Sequence, residues 1–387
     1  MSDQTDRNGM ALATALIAIV LIGALIAGTF FITTQEYRVA RNALSSPRAL
    51  SAAEYGQNML LNDWQSSWNQ SMQTGDTIKR VYNAGSGTTD TVVMTRLRFN
   101  MFWVVSTGRI GYDQNSDARR RTGLLIRLDT PEIPFPGAFS GAKSVAIAGN
   151  FAASGNDSIP AGWTDCPPGG PQKAAVASTS TANVTAVGGC SGNACLTGNP
   201  KVLADPAVAD SLKVLDGWAD LVSQANIVLN QASAGTLTGM APAYNADGSC
   251  NMAPSTNWGD PGRAATPGKC ESYFPIIYLK GTTGALGVTT TISGGVGQGI
   301  LLVDGNLWLT GNFNWVGPII VRGNVTTSGN GNKSVGGIQA LNQGCVTGCN
   351  SLSGTSNVTY SSCTINKIFA LKAKPTVAKH HAWADMY

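Results

Sequence analysis

Charged side chains are scarce in this chain: Asp, Glu, Lys and Arg together make up 12% of its 387 residues. A helix-rich soluble enzyme usually carries about a quarter of such residues, so the composition disfavours that class. Glycine is abundant, with 46 residues. The length is enough for one large or two ordinary domains with a real core. These features favour a β-rich, exported protein with many turns.

A concentrated positive charge is also missing, since the formal net charge is +4 and the one dense basic run is Arg119-Arg120-Arg121. We interpret this run as a solvated turn that leads into a strand over residues 124–128. A nucleic-acid contact would need interleaved aromatic residues or a binding motif, and neither accompanies the run. No nucleic-acid partner is therefore expected.

Cysteine is absent from the first 165 residues, and the later cysteines fall in segments rich in Gly, Pro and Asn. The eight are Cys166, Cys190, Cys195, Cys250, Cys270, Cys345, Cys349 and Cys363. An even number in the loops of an exported domain predicts disulfides formed in an oxidising compartment, with the connectivity left open. The short spacings alone would also suit metal ligands, but no CxxC pair or nearby CxxxH completes a zinc site.

Other metal and cofactor motifs are incomplete. His380 and His381 are the only histidines, and we interpret them as part of a solvated tail. Residues 294–299 (GGVGQG) precede a strand instead of opening a helix, which is the wrong context for a dinucleotide loop. Residues 245–249 (NADGS) lack the spaced acidic ligands of a calcium loop and are predicted to form a turn. No cofactor and no metal are expected.

The N-terminal segment has no charged side chain between Asn8 and Gln35. Residues 10–32 (MALATALIAIVLIGALIAGTFFI) are long enough to cross a hydrocarbon core as a helix. A secretory signal would place its small-residue cleavage site after the apolar run. Ala27-Gly28 is a weak candidate, because the apolar run continues to Ile32. Instead, the polar leader MSDQTDRNG ends in a glycine directly before the run.

This arrangement resembles the type III signal of type IV prepilins, which prepilin peptidase cuts on the cytoplasmic side after the glycine. The resemblance implies a leader over residues 1–9, cleavage between Gly9 and Met10, and methylation of the new N-terminus. It also implies a single-pass helix in the bacterial inner membrane with the head in the periplasm. Basic residues lie on both flanks of the run, so orientation depends on the resemblance. An ordinary single-pass anchor is the alternative.

Position 14 departs from the pilin pattern. Most pilins carry glutamate as the fifth mature residue, where its carboxylate can neutralise a neighbouring subunit's N-terminal amine in an apolar environment. Here Thr14 occupies that place, and a hydroxyl cannot form the ion pair. The departure favours a minor pilin near the filament tip over a repeatedly polymerised subunit.

Residues 35–69 are predicted to be helical, with a break and restart at Pro47. Residues 48–56 (RALSAAEYG) resemble the "AAE-x-G" stretch of the PilX N-terminal domain family. The resemblance covers about residues 1–65. It extends to the body of PilX-like pilus-assembly proteins at residues 257–261 (NWGDP), 273–278 (YFPIIY) and 297–307 (GQGILLVDGNL). Residues 10–75 are thus predicted to form the membrane and assembly helix.

Two β-rich runs, residues 91–105 and 122–128, predict a small antiparallel β region over residues 76–135. Beyond it, Gly-Asn pairs recur between short apolar strands in residues 145–156, 303–312 and 320–330. This repeat predicts a β-solenoid, or β-helix, over residues 136–387. The side chains of Asn150, Asn306, Asn312 and Asn324 are expected to stack between its rungs.

Because the first copy of the repeat lies far from the other two, residues 157–275 are predicted to be a loop-rich, partly helical insertion. Its one clear helix is expected to be capped by Asp205 and to start at Pro206. Its apolar residues follow at spacings of three or four, namely Val208, Leu212, Leu215, Trp218 and Val222.

A catalytic β-helix would need clustered carboxylates or basic residues along one face. The predicted rungs offer Asp304, Arg322 and Lys333, with Asp157 in the distant copy, and these form no repeated pair. The chain is therefore predicted not to be an enzyme. The overall expectation is an α+β protein with a long N-terminal transmembrane helix and a mainly β head.

The PilX-like resemblance implies a structural minor pilin that primes assembly or lies at the filament tip, with adhesion as an added role. Its expected partners are other pilins or minor pilins, prepilin peptidase, the inner membrane, and a surface or glycan. Two alternatives stay open: a tip-class pseudopilin of a type II secretion system, and a membrane-anchored β-helix that binds or cleaves surface glycan.

Overall fold

The computed structural model describes residues 7–386 except 86, 99, 112–116, 132, 164–165, 167–168, 231–234, 263–269, 282–286 and 379–382. His380 and His381 lie outside the described residues. The chain divides into two units, one of Met1–Leu128 with Pro375–Tyr387 and one of Asp129–Lys374. A long helix followed by a large β-rich region makes the fold α+β, as predicted.

The α-helices are α1 (Arg7–Asn62), α2 (Trp68–Ser71), α3 (Ser211–Ser223) and α4 (Ser362–Lys372). The strands of the first unit are β1 (Thr77–Gly85), β2 (Thr88–Arg98), β3 (Met101–Gly111), β4 (Asp117–Asp129), β24 (Lys374–Val377) and β25 (Trp383–Met386). The strands of the second unit are β5 (Gly137–Gly141), β6 (Val145–Ile147), β7 (Ala152–Ser154), β8 (Ala174–Ser178), β9 (Val184–Ala186), β10 (Leu196–Thr197), β11 (Val202–Ala204), β12 (Ile227–Asn230), β13 (Thr236–Leu237), β14 (Ile276–Lys280), β15 (Thr289–Ser293), β16 (Val296–Gln298), β17 (Ile300–Val303), β18 (Asn306–Thr310), β19 (Asn314–Val321), β20 (Val325–Thr327), β21 (Asn330–Ala340), β22 (Asn350–Leu352) and β23 (Thr355–Tyr360).

The first unit combines α1 with an antiparallel sheet in the order β1-β2-β3-β4-β24, and β25 also pairs with β4. Helix α1 runs without interruption through Pro47, so the predicted break there is wrong. A proline inside a helix removes one backbone donor but does not by itself end the helix. The residue before Pro47 contacts the sheet: Ser46 Oγ accepts a hydrogen bond of 2.7 Å from Arg120 Nε on β4.

Two details of the sheet differ from the sequence prediction. Residues 91–105 are not one strand, because the chain turns near Asn100 and β2 pairs with β3 as a hairpin. The apolar alternation continues across this turn without a Gly or Pro to mark it. The run from Arg119 to Arg121 is not a turn but part of β4, where Arg119 pairs with Arg109 of β3.

The second unit contains two mainly parallel sheets. The long sheet includes β12-β14-β17-β19-β21-β23-β7-β10, with β5, β8, β11 and β16 also paired to it. The short sheet has the order β13-β15-β18-β20-β22-β6-β9. From β17 to β23 the chain alternates between the two sheets, and each strand pairs in parallel with the next one of its own sheet. Their facing side chains form the core, which includes Leu301, Leu307 and Ile319.

The Gly-Asn pairs lie at the turns between the sheets, and part of the predicted amide ladder forms. The Asn306 side-chain oxygen accepts from the backbone N–H of Asn324 at 2.9 Å, and Asn342 Nδ2 donates to Asn324 Oδ1 at 3.0 Å. Asn342 and Asn350 then exchange side-chain hydrogen bonds of 2.9 and 3.1 Å. The other two predicted members lie elsewhere: Asn150 is exposed in a turn, and Asn312 has a positive φ of 67°.

The segment 157–275 contributes strands to both sheets as well as loops. Strand β8 pairs with β5, β9 with β6, and β12 with β14. Asp205 does cap a helix start, because its carboxylate accepts from the backbone N–H of Ala207 at 2.9 Å. That turn is a short 3-10 helix over Pro206–Ala209, and the α-helix itself begins only at Ser211.

Helices cover the outer face of the long sheet. Helix α4 packs on β19 and β21, and α3 packs on β14. Asp157 holds the start of α4, since its Oδ1 accepts from the backbone N–H of Ser362 at 2.8 Å. As a result, β17 and most of β19 are buried on both faces.

All eight cysteines are paired within the second unit. The disulfides join Cys166 to Cys363, Cys190 to Cys195, Cys250 to Cys270, and Cys345 to Cys349. Three of them close short or medium loops, whereas the first spans a sequence separation of 197 residues and ties the segment after β7 to α4. A cross-link across so long a loop restricts the unfolded chain most strongly.

Candidate assembly helix

The N-terminal half of α1 is a continuous apolar surface that nothing in the described chain covers. Helix residues Leu12–Asn62 contain a window of mean hydropathy 2.7, of which 0% is buried, and its length and composition would allow it to cross a membrane. The exposed side chains include Leu12 at 74%, Ile19 at 70% and Phe30 at 72%. A helix that is apolar all round needs an apolar environment or partner helices. This half therefore fits a membrane anchor.

The residues singled out for processing lie at the start of this helix. The backbone of Gly9 and Met10 belongs to α1. Thr14 lies one turn further on and is exposed. The helix therefore carries these residues on the same continuous element as the apolar run.

The C-terminal half of α1 is built differently, with small residues that pack on the antiparallel sheet. Ala49 and Ala53 are 0% exposed, Ala52 is 3% exposed, and Leu60 at 1% ends the buried stripe. Ala52 and Ala53 follow Ala49 by three and four residues, and Leu60 follows Ala53 by seven, or two turns, so these residues share one helix face. The alanine-rich stretch at residues 48–56 is thus the surface through which α1 contacts β2 and β3.

Two glycines set how closely the helix and sheet approach. A Cβ at Gly108 of β3 would lie 2.6 Å from the backbone nitrogen of Ala53 and would also meet the carbonyl oxygen of Ala49. A Cβ at Gly56 of α1 would meet the Asp90 carboxylate and would lie 2.9 Å from Val92 Cγ2. Neither position leaves room for a side chain: at Gly108 the backbone of β3 packs on the backbone of α1, and at Gly56 the backbone of α1 packs on side chains of β2.

Asp90 is a buried acid at this helix–sheet contact. It is 0% exposed, and its Oδ1 accepts a 2.7 Å hydrogen bond from Ser106 Oγ. Its Oδ2 has no hydrogen-bond partner among the described residues. Burial raises the pKa of Asp90 from 3.8 to about 6, although the hydrogen bond from Ser106 acts in the opposite direction. A carboxylate in this position opposes folding when it is ionised.

An aromatic cluster follows the end of α1. The Trp64 ring meets Phe102 edge-on, with 5.1 Å between centroids, and meets Trp68 at 5.6 Å. The Arg96 guanidinium lies 5.4 Å from the Phe102 centroid, and burial lowers the pKa of Arg96. Because Arg96 Nη1 also donates to the carbonyl of Met72, this cluster joins the segment after α1 to β2 and β3.

Three of the four charged residues considered for catalysis make contacts within the second unit. Arg322 Nη1 forms a 2.7 Å ion pair with Asp304 Oδ1 and its Nε donates to Gln343 Oε1 at 3.0 Å. Tyr278 O–H donates to Asp304 Oδ2 at 3.3 Å. Asp157 holds α4, and Lys333 is exposed on β21. Among the described residues, no group of three or more His, Cys, Asp or Glu side chains could hold a metal ion.

Sequence reasoning missed Asp90 and Gly108 as parts of the helix contact. A signal for Asp90 was present, because strand alternation places it on the same face as Val92 and Met94, both buried. No local pattern could have identified Gly108, since its partners Ala49 and Ala53 lie more than 50 residues earlier in the chain.

Comparison with known proteins gives little. No family model matches the sequence, and no curated protein matches it. Among solved structures, the crystal structure of the competence-associated pilin ComZ from Thermus thermophilus is similar at 12% identity and a TM-score of 0.27. The match covers 88% of this chain and 97% of that chain. A likeness at this level carries no argument about function.

Proposed function

We propose that this chain is a structural, pilin-like protein of a bacterial type IV pilus, and specifically a minor pilin resembling the PilX family. The observation that carries the proposal is the division of α1 into two halves. One half is apolar and exposed all round, and the other is fixed to an antiparallel sheet through small residues. Such a helix can be held in the inner membrane first and pack against other pilin helices later.

Processing is the second part of the proposal. Prepilin peptidase would cut between Gly9 and Met10 and leave the apolar helix on the mature chain. Thr14 then stands where a carboxylate would pair with a neighbouring subunit's N-terminal amine. Without that ion pair, the chain is suited to be a minor subunit, which primes assembly or lies at the filament tip.

We infer that the second unit is a β-solenoid head, displayed in the periplasm and later at the cell surface. The alternation of β17 to β23 between two parallel sheets supports this architecture, because each pair of strands and its turns forms one coil. The four disulfides fit a head that works outside the cytoplasm. Its proposed partners are other pilins and a surface or glycan.

We propose a structural role and not an enzymatic one. The ion pair between Asp304 and Arg322 supports this view, because each group's charge is already compensated by the other. The tip-class pseudopilin of a type II secretion system would share the same helix design, and localisation to pili would separate the two.

The test is the intact mass of the full chain extracted from membranes, with and without active prepilin peptidase. We expect loss of residues 1–9 only when the peptidase is present. Gly9→Val should block that loss, because the residue before the cut must fit a site that accepts only a small side chain. An uncut wild-type chain, or cleavage after the apolar run, would contradict the proposal.

Gly28→Val is the matched control for that substitution. It also adds a side chain to a helical glycine, and a Cβ at Gly28 meets nothing within 4 Å. Normal processing of Gly28→Val together with blocked processing of Gly9→Val would assign the effect to the cleavage site.

A further inference from the structure

The outer face of the short parallel sheet is uncharged. Its seven strands, β13, β15, β18, β20, β22, β6 and β9, contain no Asp, Glu, Lys, Arg or His. The register aligns one outward row across them: Thr236, Thr291, Trp308, Thr326, Ser351, Ala146 and Thr185. Neighbouring strands lie about 4.8 Å apart, so the row presents hydroxyl groups at regular intervals on both sides of one indole.

This face is open, in contrast to the outer face of the long sheet. The outward positions of the short sheet are exposed or half-buried, whereas β17 and most of β19 are buried on both sides. Helices α3 and α4 pack on the long sheet. The chain therefore leaves a regular polar surface uncovered.

Trp308 is the unusual residue of this surface. It is 41% exposed, and its Nε1–H donates a 2.7 Å hydrogen bond to Ser328 Oγ, which follows β20. Because Ser328 comes directly after β20, the neighbouring strand of the sheet, this hydrogen bond orients the indole ring from β18 towards β20. Its single donor is already satisfied, so the exposed part of the ring offers mainly apolar carbon and π surface.

We propose that this face, centred on Trp308, binds an uncharged glycan chain. A pyranose ring presents C–H groups on one face, which can stack on an indole, and hydroxyl groups at its edge, which can bond to Thr, Ser and Asn side chains. Thr291 and Thr326 flank the indole in the same row and are the nearest such groups in register. Nucleic acid is disfavoured, because its phosphates require cations that these strands lack.

The proposal deepens the display role of the head and relies on that proposed function only for its biological setting. The chemistry of the face does not depend on processing at Gly9 or on filament assembly. A chain that is never cleaved but binds glycan would therefore contradict the pilin proposal and leave this one intact.

The experiment is affinity electrophoresis of the purified full chain in a detergent without a sugar headgroup. The probes are dextran, laminarin and mannan, with dextran sulfate as the charged counterpart of dextran. We expect at least one uncharged polysaccharide to retard the chain, and Trp308→Ala to weaken that binding about tenfold, the order expected when the exposed part of one large aromatic ring no longer leaves water. Trp308→Phe should retain part of the binding.

Matched variants separate recognition from misfolding. Trp383→Ala removes another exposed tryptophan, which is 49% exposed in the first unit, and should bind as wild type does. Thr326→Val keeps the branched shape in the Trp308 row but removes a hydroxyl, and should weaken binding about threefold. Thr359→Val makes the same change on the long sheet and should have no effect. Thermal unfolding of each variant checks that it is folded.

Several outcomes would overturn the proposal. These are no retardation by any of the three uncharged probes, equal binding by wild type and a folded Trp308→Ala, or binding to dextran sulfate alone. Self-association that Trp308→Ala abolishes, without any glycan binding, would identify the face as a protein contact instead.

Discussion

The two halves of α1 solve the same problem, the burial of apolar helix surface, in opposite ways. The first half carries large side chains such as Leu16 and Phe31, which are 61% and 63% exposed. The second half carries Ala52, Ala53 and Gly56, which are small enough for the sheet to approach the helix backbone. Large side chains suit a partner outside the chain, whereas small ones fix the helix to a partner within it.

The largest expected effect comes from placing a charge in the exposed half. Leu21→Asp should remove the chain from the membrane fraction, because an aspartate at the centre of a spanning helix costs about 3 kcal/mol. Val39→Asp is the control, since Val39 is at least as exposed as Leu21, at 67% against 59%, but lies beyond the apolar run. Sodium carbonate extraction of membranes measures the difference. Equal extraction of both variants would contradict the anchor role of the first half.

A smaller effect is expected from a glycine-to-alanine substitution, made once in each half of α1. Gly56→Ala should lower the free energy of unfolding by about 2 kcal/mol, because its Cβ overlaps Asp90 and no void can accept it. Gly28→Ala should leave stability unchanged or slightly higher, since alanine favours helix and its Cβ meets nothing within 4 Å. Urea unfolding of the full chain in detergent, followed by circular dichroism, compares the two. If Gly56→Ala is as stable as wild type, the helix does not pack this closely on β2.

The smallest effect concerns Asp90. Its folded-state pKa of about 6 lies above its ordinary value of 3.8, so it destabilises the fold when ionised. Stability from this group is therefore fully present below about pH 4 and is lost as the pH rises through about 6. Asp90→Asn should remove that pH dependence and raise stability by about 1 kcal/mol at pH 7.5, the gain being reduced by its unpaired amide.

The contribution of Asp90 is measured from the free energy of unfolding of wild type and Asp90→Asn between pH 4 and pH 8. The control is Asp76→Asn, which changes an exposed aspartate in the loop before β1. The same pH dependence in wild type and Asp90→Asn would show that another group is responsible.

Much of the fold could be predicted because its signals are local. The apolar run and the Gly-Asn turns are visible in short windows, and they led to a long helix and a large β-rich region with parallel pairing. The failures have non-local causes. Pro47 stays inside α1, whose flanking residues Ala49, Ala52 and Ala53 are held by the sheet. Strands β8 to β12 have only two to five residues each, too few to stand out before their partners are known.

The helix contact was predictable only in part. The alanine-rich stretch stood out only by its resemblance to the PilX N-terminal domain family, and which residues it meets depends on the pairing of β2 with β3. Gly108 is required because the backbone of Ala49 and Ala53 lies against it. A single glycine in a strand does not indicate which residues it contacts. The processing residues Gly9 and Met10 stay a prediction from the resemblance to prepilins.

The C-terminal strands have a mechanical consequence. Strand β4 leads into the second unit, and the chain returns from that unit directly into β24, which pairs with β4. Just after β24, the Ala378 N–H donates to the carbonyl of Leu125 on β4 at 3.1 Å. The second unit is thus a segment of chain whose two ends continue into β4 and β24, which are neighbouring strands of one sheet. Tension applied to the head would be shared by two covalent tethers, and neither could be drawn out without first shearing the pairing between β4 and its C-terminal neighbours.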